Sequence, residues 1–151
     1  MADIYIHQGN PDDATRFSSQ YWVQTPVAND RYLVTISGIV IIDYKGITSD
    51  EWRRDRLHLG IKFPTDFFPK NKILKLEQWA PFITINAIYN KDESVNAGWA
   101  VDNFGLDDVT IGGYISIWAD IAVRDSDGYL FRLGYNVTVS GYFADMPPGP
   151  A

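Results

Sequence analysis

Trp118, Asp120, Arg132 and Asn136 are the residues of this chain whose types and spacing could do chemistry as a group. An indole offers a flat apolar platform to the CH face of a sugar ring. Carboxylate, guanidinium and amide groups at its rim can bind the hydroxyls. The grouping follows from reading Tyr114 to Phe143 as a β-hairpin. If Ser126-Asp127-Gly128 forms a three-residue loop with Gly128 in the left-handed conformation, Asp125 faces Tyr129 and every later pair is fixed. Trp118 then lies across from Asn136 and Asp120 from Gly134, with Arg132 on the diagonal. The opposite face is nearly all apolar, with Ile115, Ile117, Ala119, Ile121 and Val123 beside Tyr129, Phe131, Leu133, Tyr135, Val137 and Val139. A loop of two or four residues would set apolar positions of one strand beside polar ones of the other. The structural alternative is a plain Asp120 to Arg132 ion pair, with Trp118 covered by another element.

Calcium is the one cofactor the acids suggest. They gather in turns of the second half, and Asp107, Asp108, Asp125 and Asp127 become a candidate site if several turns meet at one end of the fold. Asp125-Ser126-Asp127-Gly128 lacks the following glutamate of a calcium loop, and a hairpin turn explains it fully. His7 and His58 are the only histidines, without an HExxH pair, and His58 within Leu57-His58-Leu59 reads as structural. No GxSxG elbow presents a serine. With no Cys, thiolate catalysis, Cys-ligated metals and disulfides are excluded. Only three Glu leave few candidates for a tuned glycosidase acid. Asn136-Val137-Thr138 fits a glycosylation sequon but reads as strand. Trp99 reads as core, while Trp22, Trp52 and Trp79 fall near segment ends, as lids on the core or contacts for a partner.

The elements that must hold these residues are almost all strands. Asn10-Pro11-Asp12-Asp13 offers an N-cap, a proline at the first helical position and acids on the positive end of the dipole, enough for a turn or two. Thr48 and Glu51 have capping-box spacing ahead of Trp52-Arg53-Arg54-Asp55-Arg56, a second short helical turn. Arg31 to Tyr44 alternates, with Tyr32, Val34, Ile36, Val40 and Ile42 on one face. Leu57 to Lys62, Lys72 to Trp79, Phe82 to Tyr89 and Val95 to Val101 are shorter strands. Eight or nine strands and almost no helix predict an all-β fold, a two-sheet antiparallel β-sandwich of jelly-roll or immunoglobulin-like type, with an up-and-down β-barrel as the alternative. Residues 1–145 form one domain, and 146–151 a proline-rich flexible tail.

At 151 residues the chain suits a single core. Aromatics at 15% exceed what such a core must contain, so some rings reach the surface. The net charge is −6, and after residue 91 only Arg124 and Arg132 stand against nine acids, which argues against a nucleic-acid partner. No apolar run approaches 18 residues, so no transmembrane segment is expected, and no signal peptide is evident. That points to the cytoplasm or to export by a non-classical route. The composite reading is a non-catalytic binding module, carbohydrate-binding and lectin-like, with a glycan or another protein as partner. One alternative is an assembly or toxin-component subunit that forms a homo-oligomer through exposed aromatics. A second is an enzyme or small-ligand carrier with an interior cavity.

Overall fold

The computed structural model describes residues 1–27, 30–48, 50–63, 66, 68–109 and 113–146, the side chains at 108 and 109 excepted. Eight strands and one helical turn follow in the order β1 (Ala2–His7), α1 (Pro11–Ala14), β2 (Phe17–Val27), β3 (Arg31–Lys45), β4 (Trp52–Lys62), β5 (Lys72–Asn90), β6 (Gly98–Val109), β7 (Tyr114–Arg124) and β8 (Gly128–Asp145). They form two four-stranded sheets, one ordered β1-β4-β7-β6 and the other β2-β3-β8-β5. All pairings are antiparallel except β1 with β4, which is parallel. The all-β sandwich is thus observed, and the sheets do not close into a barrel. No helix among the described residues is long and apolar enough to cross a membrane.

Alternation builds the core. Leu57, Leu59 and Ile61 of β4 and Ile115, Ile117, Ala119, Ile121 and Val123 of β7 line the inner face of the first sheet. Val34, Ile36 and Val40 of β3 and Leu133, Tyr135, Val137 and Val139 of β8 face them from the second. A register shift in β3 between Ile41 and Tyr44, with Asp43 at a φ of 48°, turns Tyr44 rather than Ile42 fully inward. Trp99 is partly buried against this core.

The Tyr114 to Phe143 hairpin is not formed. β7 pairs with β4 and β6, and β8 pairs with β3 and β5, so the two strands lie in different sheets. The chain still turns tightly, with the Gly128 N–H donating to the Asp125 carbonyl at 3.0 Å, but Asp125, at a φ of 80°, takes the left-handed conformation. The turn is an arch that carries the chain across the core. Gly46 of the β3–β4 connection packs beneath it, its N–H donating to the Gly128 carbonyl at 3.0 Å, and a methyl group there would overlap the Asp125 carbonyl oxygen. An arch and a hairpin bury almost the same residues of β7 and β8, because the apolar period states which side faces the core and not which strand is the neighbour. The period itself slips at the start of β8, where Leu130 is buried in place of Phe131.

Three further expectations are corrected. Trp52 to Arg56 is strand, because Asp55, Leu57, Leu59 and Ile61 alternate inward as one run. Lys72 to Trp79 and Phe82 to Tyr89 join into the single strand β5, since β5 is a sheet edge where the missing Pro81 N–H costs no ladder bond. β6 runs from Gly98 to Val109 rather than from Val95 to Val101. The first turn is helical as expected, with the Asn10 side chain accepting from the Asp12 N–H at 3.1 Å. Ser49 of the second expected turn, and residues 147–151 of the tail, lie outside the described residues.

Candidate functional site

The arch sets the fate of the predicted patch. Trp118 and Asp120 project from β7 on the outer face of the first sheet, Arg132 and Asn136 from β8 in the second, so the four do not form one surface. Each pair has other neighbours. Asp120 accepts from Arg56 Nε at 2.8 Å and Nη2 at 3.2 Å, and these hydrogen bonds hold its carboxyl below the usual carboxylate range. The same guanidinium stacks 3.9 Å over the Trp118 ring. The indole in turn lies on Gly105, where a methyl group would overlap the indole nitrogen. Trp118 is therefore covered by its own chain and is not an open platform. Arg132 is exposed, its guanidinium 5.1 Å over the Phe131 ring.

This first outer face is dense with charge. His58 of β4 places Nδ1 2.8 Å from Asp107 of β6 and Nε2 2.9 Å from Asp3 of β1, and its ring stacks on Tyr5 at 4.6 Å and 12°. Partial burial works against a charged ring, but the hydrogen bonds to the two carboxylates outweigh it, so the His58 pKa is raised. On the inner side the buried Asp55 accepts from the Ala2 N–H at 2.8 Å, Tyr44 Oη at 2.6 Å and Arg53 Nε at 3.1 Å. Burial alone would raise the Asp55 pKa, yet these donors lower it.

The calcium candidates are not brought together. Asp107 is held by His58, whereas Asp125 and Asp127 sit in the β7–β8 turn. There the Ser94 hydroxyl bonds Asp125 and holds it low, while burial and the neighbouring Asp92 push Asp127 up. The Asp108 side chain lies outside the described residues. Among the described residues no group of three or more His, Cys, Asp or Glu is placed to hold a metal ion. His7 accepts from the Gly9 N–H at 3.0 Å and packs against Tyr114.

The second outer face is of opposite character. Three rows of four side chains cross it from β2 through β3 and β8 to β5: Tyr21-Ser37-Asn136-Phe82, Val23-Thr35-Thr138-Ala80 and Thr25-Leu33-Ser140-Gln78. None is charged. Asn136 Nδ2 donates to Ser37 Oγ at 2.7 Å, and the Thr35 and Thr138 hydroxyls share a bond at 3.1 Å. Tyr21 is 59% exposed and Phe82 54%, the Phe82 ring being stacked on one side at 5.4 Å on Phe104 of β6. Tyr21 and Phe82 stand at the ends of one row about 14 Å apart, three inter-strand spacings. Beside the third row is a depression of about 500 Å³ bounded by Leu33, Glu77, Trp79, Ala80 and Ser140, with Trp79 52% exposed. An ion pair between Arg31 and Glu77 at 2.9 Å marks one end of the rows, and the exposed Arg132 lies beyond the other.

Of the predicted site, Asn136 alone lies within this neutral face. Tyr21 escapes the sequence reading because Phe17 to Val27 mixes polar and apolar residues on both faces of an edge strand, which hides its alternation. The available signal was the run of neutral hydrogen-bonding residues at alternate positions, Thr35 and Ser37 on one strand and Asn136, Thr138 and Ser140 on another. No protein-family model, curated protein or solved structure matches the chain.

Proposed function

We propose that the protein is a non-catalytic module that binds a neutral carbohydrate chain on the outer face of the β2-β3-β8-β5 sheet. The observation that carries this reading is three uncharged rows on which exposed rings flank a row of amide and hydroxyl groups. Sugar rings present apolar CH faces and neutral hydroxyls, so their partners need ring surface and hydrogen-bonding groups without the desolvation cost of ions. Tyr21 and the side of the Phe82 ring turned away from Phe104 would stack on successive sugars of a chain laid across the strands, with Asn136, Ser37 and the threonines hydrogen-bonding between them. Trp79 and its depression would extend the contact. The test is binding to a panel of neutral glycans and insoluble polysaccharides. Tyr21→Ala and Phe82→Ala are each expected to weaken binding about tenfold, equal to 1.4 kcal/mol, and Trp118→Ala to leave it unchanged. No binding across the panel, or full binding by the double variant, would overturn the reading.

A second reading places another copy of the chain on the same face. It is favoured by Val23 and Leu33, exposed aliphatic side chains that have no use for a sugar. A chain of net charge −6 associates with itself at least electrostatic cost through an uncharged surface. A stable dimer in sedimentation equilibrium, dissociated by Val23→Asp, would select this reading.

A further inference from the structure

We propose that His58 is a proton-operated clasp that sets how firmly the N-terminal strand β1 is held on its sheet. The observation is that both ring nitrogens meet carboxylates, Nδ1 with Asp107 at 2.8 Å and Nε2 with Asp3 at 2.9 Å. A carboxylate accepts only, so satisfying both requires a proton on each nitrogen, the imidazolium form. A neutral ring donates once and turns a lone pair toward the other carboxylate. One of the two bonds is then lost.

β1 depends on that ring more than the rest of the sheet does. It is an edge strand whose one ladder partner is β4. Asp3 and Tyr5, two residues apart and so on the same face, both contact His58, one by hydrogen bond and the other by a stacked ring that also favours the charged form. Asp107 has a further neighbour in the Ser116 hydroxyl at 3.4 Å and so keeps a partner when His58 lets go. Asp3, 56% exposed, accepts its one described hydrogen bond from the ring.

The described charged and titratable groups around the imidazole are few. β1 contributes Asp3, Tyr5 and His7, β6 contributes Asp107, and β7 contributes Asp120 beside Ser116 and Trp118. Along β4 the neighbours are Arg56, whose like charge is engaged by Asp120, and Lys62 on the far side of Gly60. The two carboxylates in direct contact outweigh the rest. Because the folded-state pKa lies above that of the unfolded chain, the clasp's contribution is fully present below about pH 6.5 and is lost as pH rises through the folded value. A β1 that opens exposes the edge of β4, with its N–H and C=O groups free to accept another strand.

Hydrogen exchange of the full chain, followed on peptides from residues 1–10 at pH 6 and pH 9 and corrected for intrinsic exchange, tests this. Protection of β1 is expected to fall about fivefold at the higher pH, the worth of one partly exposed hydrogen bond, while β3 and β8 keep theirs. His58→Gln should give the low protection at both pH values. Asp3→Asn, which leaves the imidazole and Asp107 intact, should make β1 protection independent of pH. Protection of β1 that does not change with pH in the wild type, or that falls only in step with β3 and β8, overturns the clasp, as does wild-type protection in His58→Gln at pH 6.

Discussion

The Tyr135 hydroxyl is buried and has no hydrogen-bond partner among the described residues, with its ring set against Gly38. Burial pushes its pKa far up, so it stays protonated and gains nothing from its polar atom. Tyr135→Phe is therefore expected to raise the stability by about 1 kcal/mol, seen as a higher urea midpoint at unchanged slope. Asp55 is the reverse case, a buried acid satisfied from three sides. Asp55→Ala strands the Tyr44 hydroxyl and the Ala2 N–H, and a loss of about 2–3 kcal/mol is expected. Its depressed pKa gives the sign with pH: the contribution is present above the ordinary carboxylate pKa of about 3.9 and lost as pH falls through the folded value. An acid titration of stability in wild type and Asp55→Asn checks this, and the variant should lose the steep acid limb. Neither residue can be ranked from sequence. Tyr135 reads there as one more inward ring of β8, and the partners of Asp55 come from Ala2, Tyr44 and its near neighbour Arg53, which alternation alone does not bring together.

Among the elements, the faces of strands were legible and their neighbours were not. Ile115, Ile117, Ala119, Ile121 and Val123 turn inward as their spacing requires, and Arg31 to Tyr44 is a strand within one residue of its observed end. Which strand lies beside β7 is decided by distant partners, β4 with its run from Asp55 to Ile61 and β6 with Phe104 opposite Ala119. Nothing in the local sequence encodes that choice. Backbone NOEs test it: Ala119 should show cross-strand contacts to Leu57 and Phe104, and β7 none to β8 beyond the turn where Val123 and Arg124 meet Gly128. The arch rests on close approach at Gly46, so Gly46→Ala should cost several kcal/mol, on the order of an overpacked core position or more. A cost below about 0.5 kcal/mol would mean that the turn yields easily. β2 escaped notice for a different reason, since a strand exposed on both faces carries little periodic signal.

At the scale of the whole molecule, the two outer faces divide the chemistry. Ionic and hydrogen-bonded groups crowd one sheet around Arg56 and His58, and the other presents neutral rows with most of the exposed large hydrophobics of the described strands. Binding through the second face should be nearly insensitive to salt between 50 and 500 mM, roughly a threefold change in screening length, whereas a ligand of the charged face would be lost. The surplus of rings in the composition foretold exposed aromatics, but the sheet that carries them follows from β2 and β5 being its edges. The interleaved order of strands has one more consequence. Each sheet draws on both halves of the chain, and β8, the last strand made, lies between β3 and β5. A nascent chain released only as far as residue 127 leaves β5 with no ladder partner and uncovers its Leu74 and Ile83, which are buried in the complete fold. Synthesis therefore runs almost to completion before the β5 edge of that sheet is secure, and a C-terminal truncation should accumulate as aggregate rather than as a smaller folded domain.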